Sequence, residues 1–169
     1  MNTKVLIITG PGGAGKSTIA QLVARKCGFE YIDGDQEDTE FFPDGEQWFA
    51  QNSNALALAH KKIFEKTKKL IGEGKKVIVD YIIFGQYLNF FKMFRDELGD
   101  ALEIKVLFPS EKEMIQRDKE RKGWTTGTER IRTVSSEFKA IKSEVGEGNY
   151  LDTTDQTPEE TFRKYFSKY

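Results

Sequence analysis

The chain has 169 residues, a length that favours one compact domain able to bury about two-thirds of the surface of its unfolded chain. Lys and Arg number 26 against 27 Asp and Glu, a formal net charge of -1, so no overall basic field advertises a polynucleotide or an anionic membrane. With 38% hydrophobic and 31% charged residues, the composition excludes a disordered or membrane-spanning chain. Cys27 is the sole cysteine, which excludes an intrachain disulfide or a cysteine-cluster metal site and suits a reducing compartment. The first apolar run, residues 5–8, is too short for a secretory signal or a membrane span, and the expected location is the cytoplasm.

Residues 4–9, KVLIIT, are a β-branched apolar run ending in glycines, the pattern of a strand buried on both faces of a parallel sheet. A helix follows over 16–26, with Ile19, Ala20, Leu22 and Val23 at helical spacing and Gly28 where a C-terminal cap belongs. The second strand is expected at 29–32. Segment 46–71 repeats apolar residues at Trp48, Phe49, Leu56, Ile63, Leu70 and Ile71, which predicts a long helix stopped by Gly72 and Gly74. Further strands are expected at 76–79, 102–108 and, briefly, 150–151. Ser110 with Glu113 and Thr157 with Glu160 read as capping boxes that start two helices, the second with Pro158 at its first position. This alternation predicts an α/β domain with helices on both faces of a mainly parallel sheet.

Residues 10–17, GPGGAGKS, match the phosphate-loop pattern G-x-x-x-x-G-K-[ST] in full, after a strand and at the start of a helix. The glycines let backbone N–H groups turn inward around an anion at the positive end of the helix. Lys16 then reaches the β and γ phosphates, and the Ser17 hydroxyl is the expected protein ligand of Mg²⁺.

At these residues the chain resembles the P-loop kinases of nucleotides and small molecules, the group of adenylate, shikimate, gluconate and adenylylsulfate kinases. The resemblance implies a three-layer α/β/α fold with a five-stranded parallel sheet of order 2-3-1-4-5 and a helical lid. One kinase domain would fill residues 1–169, with an acceptor-binding region at about 36–95 and the lid at about 117–132. ATP and Mg²⁺ would be the cofactors. Gly10, Gly12, Gly13, Ala14, Gly15, Lys16, Ser17 and Thr18 would hold the nucleotide, and Ser17, Asp33 and Asp80 the metal shell.

Asp33-Gly34-Asp35, read alone, is either an Asp-Gly turn or an acidic element at a strand end, where ligands of parallel sheets sit. The resemblance gives Asp33 to the magnesium shell and Asp35 to the acceptor hydroxyl as general base. Asp80 ends another apolar strand, either as a cap or turn residue or, by resemblance, as the acid that orders water on Mg²⁺. Phe84, Gly85, Gln86 and Tyr87 either line the acceptor pocket or belong to the core. Arg117 and Arg121 are four residues apart, on one face of a predicted helix that runs into the Gly- and Thr-rich segment 122–128. They are catalytic lid arginines by resemblance, or members of a solvated helix in which Asp118 pairs weakly with Arg121; Arg130 and Arg132 stand in reserve. Segment 152–158, with Asp155 and Thr157, either packs on the adenine, by resemblance, or simply joins a strand to a capped helix.

Between Arg25 and Arg95 there is no arginine, the residue that grips phosphate or carboxylate bidentately. Acids crowd the same region, Glu37, Asp38, Glu40, Asp44 and Glu46, interleaved with Phe41, Phe42, Trp48 and Phe49. The expected acceptor is therefore a small neutral or cationic compound offering a hydroxyl, of nucleoside, sugar, alcohol or amino type. His60 reads as a packing residue and Cys27 as a buried filler. The lysines at 61, 62, 66, 68, 69, 75 and 76 read as a solvated face, with a polynucleotide backbone as the less favoured reading. No Asn-Lys-x-Asp element occurs, and the one Asp-x-x-Gly, at 96–99, is away from any expected strand end, which argues against a GTPase. The alternative to a phosphotransferase is a nucleotide-binding switch or regulatory ATPase acting through a protein or RNA partner.

Overall fold

A computed structural model describes residues 3–43, 45–47 and 49–169; Asp44 and Trp48, assigned above to the acidic entrance and to a helix, lie outside the described residues. The elements in chain order are β1 (Val5–Thr9), α1 (Lys16–Cys27), β2 (Phe29–Asp33), α2 (Gly34–Asp38), α3 (Ser53–Gly72) and β3 (Lys76–Asp80). They continue with α4 (Leu88–Leu98), β4 (Leu102–Leu107), α5 (Glu111–Glu120), α6 (Thr128–Ala140), α7 (Lys142–Val145), β5 (Tyr150–Leu151) and α8 (Pro158–Thr161). A π-helical turn, Phe162–Phe166, extends the last helix.

The strands form one parallel sheet of order β2-β3-β1-β4-β5. Its central strand is buried throughout, and successive residues feed opposite faces: Val5 and Ile7 join the core against α3, α4 and α6, while Leu6 and Ile8 join that against α1 and the C-terminal helix. The register decides where the chemistry falls. Ile8 lies beside Asp80 and Asp33 beside Asp80, so the carboxylates at the ends of β2 and β3 share one edge with the loop that leaves β1.

The long predicted helix is shorter than its apolar spacing suggested. It starts at Ser53 after a 3₁₀ turn at Ala50–Asn52, because Phe49 is extended and half-exposed and the Asn52 side chain donates to the Glu46 carbonyl at 2.8 Å, closing a local loop instead of a helical turn. The Thr157–Glu160 box forms in full, with Pro158 at its first position. The Ser110–Glu113 box forms only by half: Ser110 Oγ accepts from the Glu113 amide, but the Glu113 carboxylate is taken by Arg117. The lysine face is largely engaged by its own chain. Lys62 pairs with Glu37 and Glu40, Lys66 with Glu37 and Lys75 with Glu30 and Glu73, while Lys68 and Lys76 lie over Phe64 and Phe29. No helix among the described residues is long and apolar enough to cross a membrane.

Candidate active site

The phosphate loop is pinned from below by backbone. Gly13 sits at φ 75°, where an added Cβ would collide with the Met114 carbonyl of α5, so neither the conformation nor the space admits a side chain. No side chain caps the first turn of α1, whose N-terminal N–H groups therefore remain available to an anion. Lys16, Ser17 and Thr18 open that turn and face the same cavity, of about 310 Å³, with Asp35, Arg121 and Trp124 on its other walls.

Asp80 closes the loop's far side. It is only 4% exposed, accepts from Tyr31 Oη at 3.2 Å and from the Ser17 hydroxyl, and its carboxyl is pushed up by burial against the opposing pull of nearby Lys16. Asp33, on the neighbouring strand, accepts from the Gln36 amide at 3.1 Å and so caps α2. Asp35, the second residue of α2, stands in the cleft among protein groups that partly desolvate its carboxyl. That desolvation pushes its carboxyl up to about 6, with Lys16 opposing and the charges of Asp80 and Asp33 adding to the rise. No group of three or more His, Cys, Asp or Glu arranged for a metal ion occurs among the described residues. What is present, a hydroxyl bonded to a buried carboxylate beside a phosphate loop, is the hard-oxygen donor set of a Mg²⁺ held mainly by phosphate oxygens and water.

The lid departs from its expected form. α5 ends at Glu120, and Arg121 is already extended at ψ 133°, so the two arginines do not share a helical face. Arg121 stacks on Trp124, 4.4 Å from guanidinium to ring, and faces the phosphate loop. Arg117 turns the other way, donating to the carbonyls of Thr153 and Gln156 at 3.2 Å each and to Glu113 at 3.0 Å. Asp118, expected in a weak exposed pair, is 2% exposed and accepts from the amides of Thr126 and Gly127 at 2.9 and 3.0 Å, with Arg121 at 4.0 Å. Burial pulls its carboxyl upward, but those amide bonds and the guanidinium outweigh burial and hold it below the usual carboxylate range. The strap 121–127 is thereby latched at both ends to α5. Thr126 rests on Gly12, where an added Cβ would run into the threonine side chain.

Two further cavities flank the loop. On the α1 side, one of about 130 Å³ lies between Gly15, Thr18, Arg117, Thr153, Gln156 and Pro158. Asp155 and Thr157 are absent from its walls: Thr157 is committed to its capping box and Asp155 is exposed at φ 56°. On the other side, a cavity of about 490 Å³ is walled by Lys16, Asp35, Gln47, Ile82, Arg130 and Val134, with Trp124, Thr125 and Thr126 of the strap beside them. Gln47 and Arg130 also border a smaller space of about 210 Å³ against Phe84, Gly85, Gln86 and Tyr87. Gln47, Ile82 and Val134 carry no signal in the sequence, being brought together by three separate segments. Arg130, held in reserve as a lid arginine, stacks on Phe84 at 5.6 Å and gives the 490 Å³ cavity the guanidinium that segment 26–94 lacks. The acids expected at the entrance turn elsewhere: Glu37 and Glu40 pair with α3 lysines and Asp38 points into the core. His60 is a packing residue, 5% exposed among Tyr81, Tyr87 and Phe90.

A phosphate loop on the central strand of a parallel sheet ordered 2-3-1-4-5 is the architecture of the P-loop kinases, and solved kinases share it across almost the whole chain. A gluconokinase from Sinorhizobium meliloti 1021 superposes with a TM-score of 0.67 at 18% identity, covering 96% of this chain and 89% of that one. Deoxyadenosine kinase from M. mycoides, with bound dATP, gives 0.63 at 20%, covering 96% and 97%. A family model described as an AAA domain matches residues 5–147, and the chain belongs to that family. Among curated relatives, deoxyguanosine kinase of Bacillus subtilis (strain 168) is 33% identical over 90 residues, 50% of this chain and 44% of its own length. Shikimate kinase of Xanthomonas oryzae pv. oryzae (strain PXO99A) is 33% identical over 84 residues, 44% and 45% of the two chains. The matched stretches thus span less than half of these relatives.

Proposed function

We propose that the protein transfers the γ-phosphoryl group of ATP to a hydroxyl of a small, neutral acceptor of nucleoside or sugar type. The observation that carries this reading is the sharing of walls: Lys16, Asp35, Gly12 and Trp124 border both the phosphate-loop cavity and the 490 Å³ cavity beside it. A carboxylate and a phosphate-binding lysine at the junction of two cavities suit an acceptor hydroxyl meeting a γ-phosphoryl group. ATP would lie along the loop, its base toward Thr153, Gln156 and Arg117. Ser17 and Asp80, with Asp33, would hold Mg²⁺, which when bound neutralises phosphate charge.

Asp35 accepts the hydroxyl proton, a task that suits a carboxylate whose affinity for protons lies near neutrality. Lys16 and Arg121 hold positive charge where the equatorial oxygens gather negative charge. The strap, seated on Gly12, keeps water from the phosphoryl group. The cationic acceptors allowed by sequence lose support, because Glu37 and Glu40 pair with lysines and Asp38 faces the core, while Arg130 lines the cavity. Among the relatives' names, deoxyguanosine kinase agrees with a neutral acceptor, whereas gluconokinase and shikimate kinase name acceptors that carry a carboxylate.

The test is ATP consumption with Mg²⁺ across deoxynucleosides, sugars, gluconate, shikimate, aminoglycosides and nucleoside monophosphates, with Lys16→Ala as the blank. Turnover stimulated by a nucleoside or sugar is expected. Stimulation confined to nucleoside monophosphates or other anionic acceptors such as gluconate and shikimate, or by nothing in the panel, overturns the reading.

A further inference from the structure

We propose that Tyr81 and Asp38 form a clamp that fixes the helix carrying Asp35, and that both are positioning residues for phosphoryl transfer; this rests on the reading of Asp35 as the group that receives the acceptor hydroxyl. α2 spans five residues, Gly34–Asp38, too few to be stable by their own hydrogen bonds. Something outside the helix must hold Asp35 in place.

Tyr81 does so at both ends. The base of its ring approaches the first residue, Gly34, so closely that a Cβ there would overlap it. Its hydroxyl donates to Asp38, the last residue, at 2.7 Å. One side chain therefore touches both termini of a helix whose second residue is Asp35. The tyrosine is itself immobilised: it is fully buried, its amide donates to the Ile8 carbonyl at 3.2 Å, and its ring meets Tyr87, Phe90 and His60 edge-on. It directly follows Asp80, the last residue of β3, so consecutive residues carry the carboxylate beside the phosphate loop and the clamp on the helix that bears Asp35. The outer side of α2 is tied down separately, by Lys62 and Lys66 on Glu37.

Asp38 has no reason to be a carboxylate if it only fills space. It is 2% exposed, and burying a charge is costly unless the charge is bonded. An apolar side chain would serve packing alone. A carboxylate oxygen that accepts from one tyrosine hydroxyl fixes the rotation of the helix about its axis, and that rotation determines where Asp35 points.

Tyr81→Phe keeps the ring on Gly34 and removes only the hydroxyl; Asp38→Asn keeps the shape and weakens the acceptor. The first measurement is amide hydrogen exchange on the full chain without ligand. Exchange at 34–39 should rise about tenfold in Tyr81→Phe, with the first turns of α1 unchanged. The second is kinetics with whichever acceptor the panel identifies, per active site counted by ATP titration. Each variant should lose about 10- to 100-fold in kcat, as expected of a displaced reacting group, with ATP affinity preserved to within about twofold. The double variant should be no worse than the poorer single, since one clamp is broken once. Unchanged exchange at 34–39, or unchanged kcat per ATP site in both singles, overturns the clamp. If exchange rises but Asp35→Asn transfers phosphate as well as the parent, the role of Asp35 falls and the positioning role with it. If Asp35→Asn is inactive while the clamp variants are normal, the clamp alone is wrong.

Discussion

Asp35 and Lys16 meet at the junction of two cavities, and most of the proposed chemistry depends on that meeting. Replacing Asp35 with Asn should slow acceptor phosphorylation by roughly 10² to 10⁴ while isothermal titration shows ATP binding intact. The acids and the phosphate loop were legible because each is a contiguous element that ends a strand, and a parallel sheet delivers strand ends to one edge. The arginines were less legible, since placing Arg121 on one face with Arg117 assumed a helix through 121, whereas the chain leaves the helix to let Asp118 bind the amides of 126 and 127. Gln47 was invisible, because nothing local marks a loop residue as the wall of a cavity.

At the scale of elements, the strap between α5 and α6 is the moving part to test. Asp118→Ala removes the acceptor of two amide hydrogen bonds, each worth about 1.5–3 kcal/mol when the partner is charged. Segment 122–127 should then exchange its amides at least about tenfold faster, and kcat/KM for ATP should fall by about the same factor as closure is lost. Protection equal to the parent's would show that the strap is held by Thr126 on Gly12 alone. The strand–helix alternation was readable throughout, since hydrophobic periodicity reports which face is buried. The start of α3 was misjudged because periodicity does not register a competing side-chain bond, here Asn52 to the Glu46 carbonyl.

For the whole molecule, buried titratable groups shape stability against pH. Burial lowers His60 from 6.5 to about 4, so it stays neutral in the fold while the unfolded chain takes up a proton below 6.5. Its contribution is therefore intact above pH 6.5 and is lost as pH falls toward 4. Asp38 runs the other way: burial raises its carboxyl to about 6, so the fold favours its protonated form and that stabilisation fades as pH rises through 6. Replacing His60 with Phe carries a packing cost that is the same at any pH. Relative to the parent, the variant should gain about 2 kcal/mol between pH 7.5 and pH 4.5, read from denaturant midpoints at the two pH values. Equal differences at both pH values would place the histidine's proton uptake outside the folding equilibrium.

The seat of Thr126 on Gly12 carries a consequence for timing. Under the proposed transfer, Trp124 of the strap borders both the phosphate-loop cavity and the acceptor cavity, so one movement of residues 121–127 would open both. An acceptor bound behind the strap would then leave only when the nucleotide site also opens, and both products would depart together. Turnover would be capped by the frequency of that opening, however fast the phosphoryl group moves.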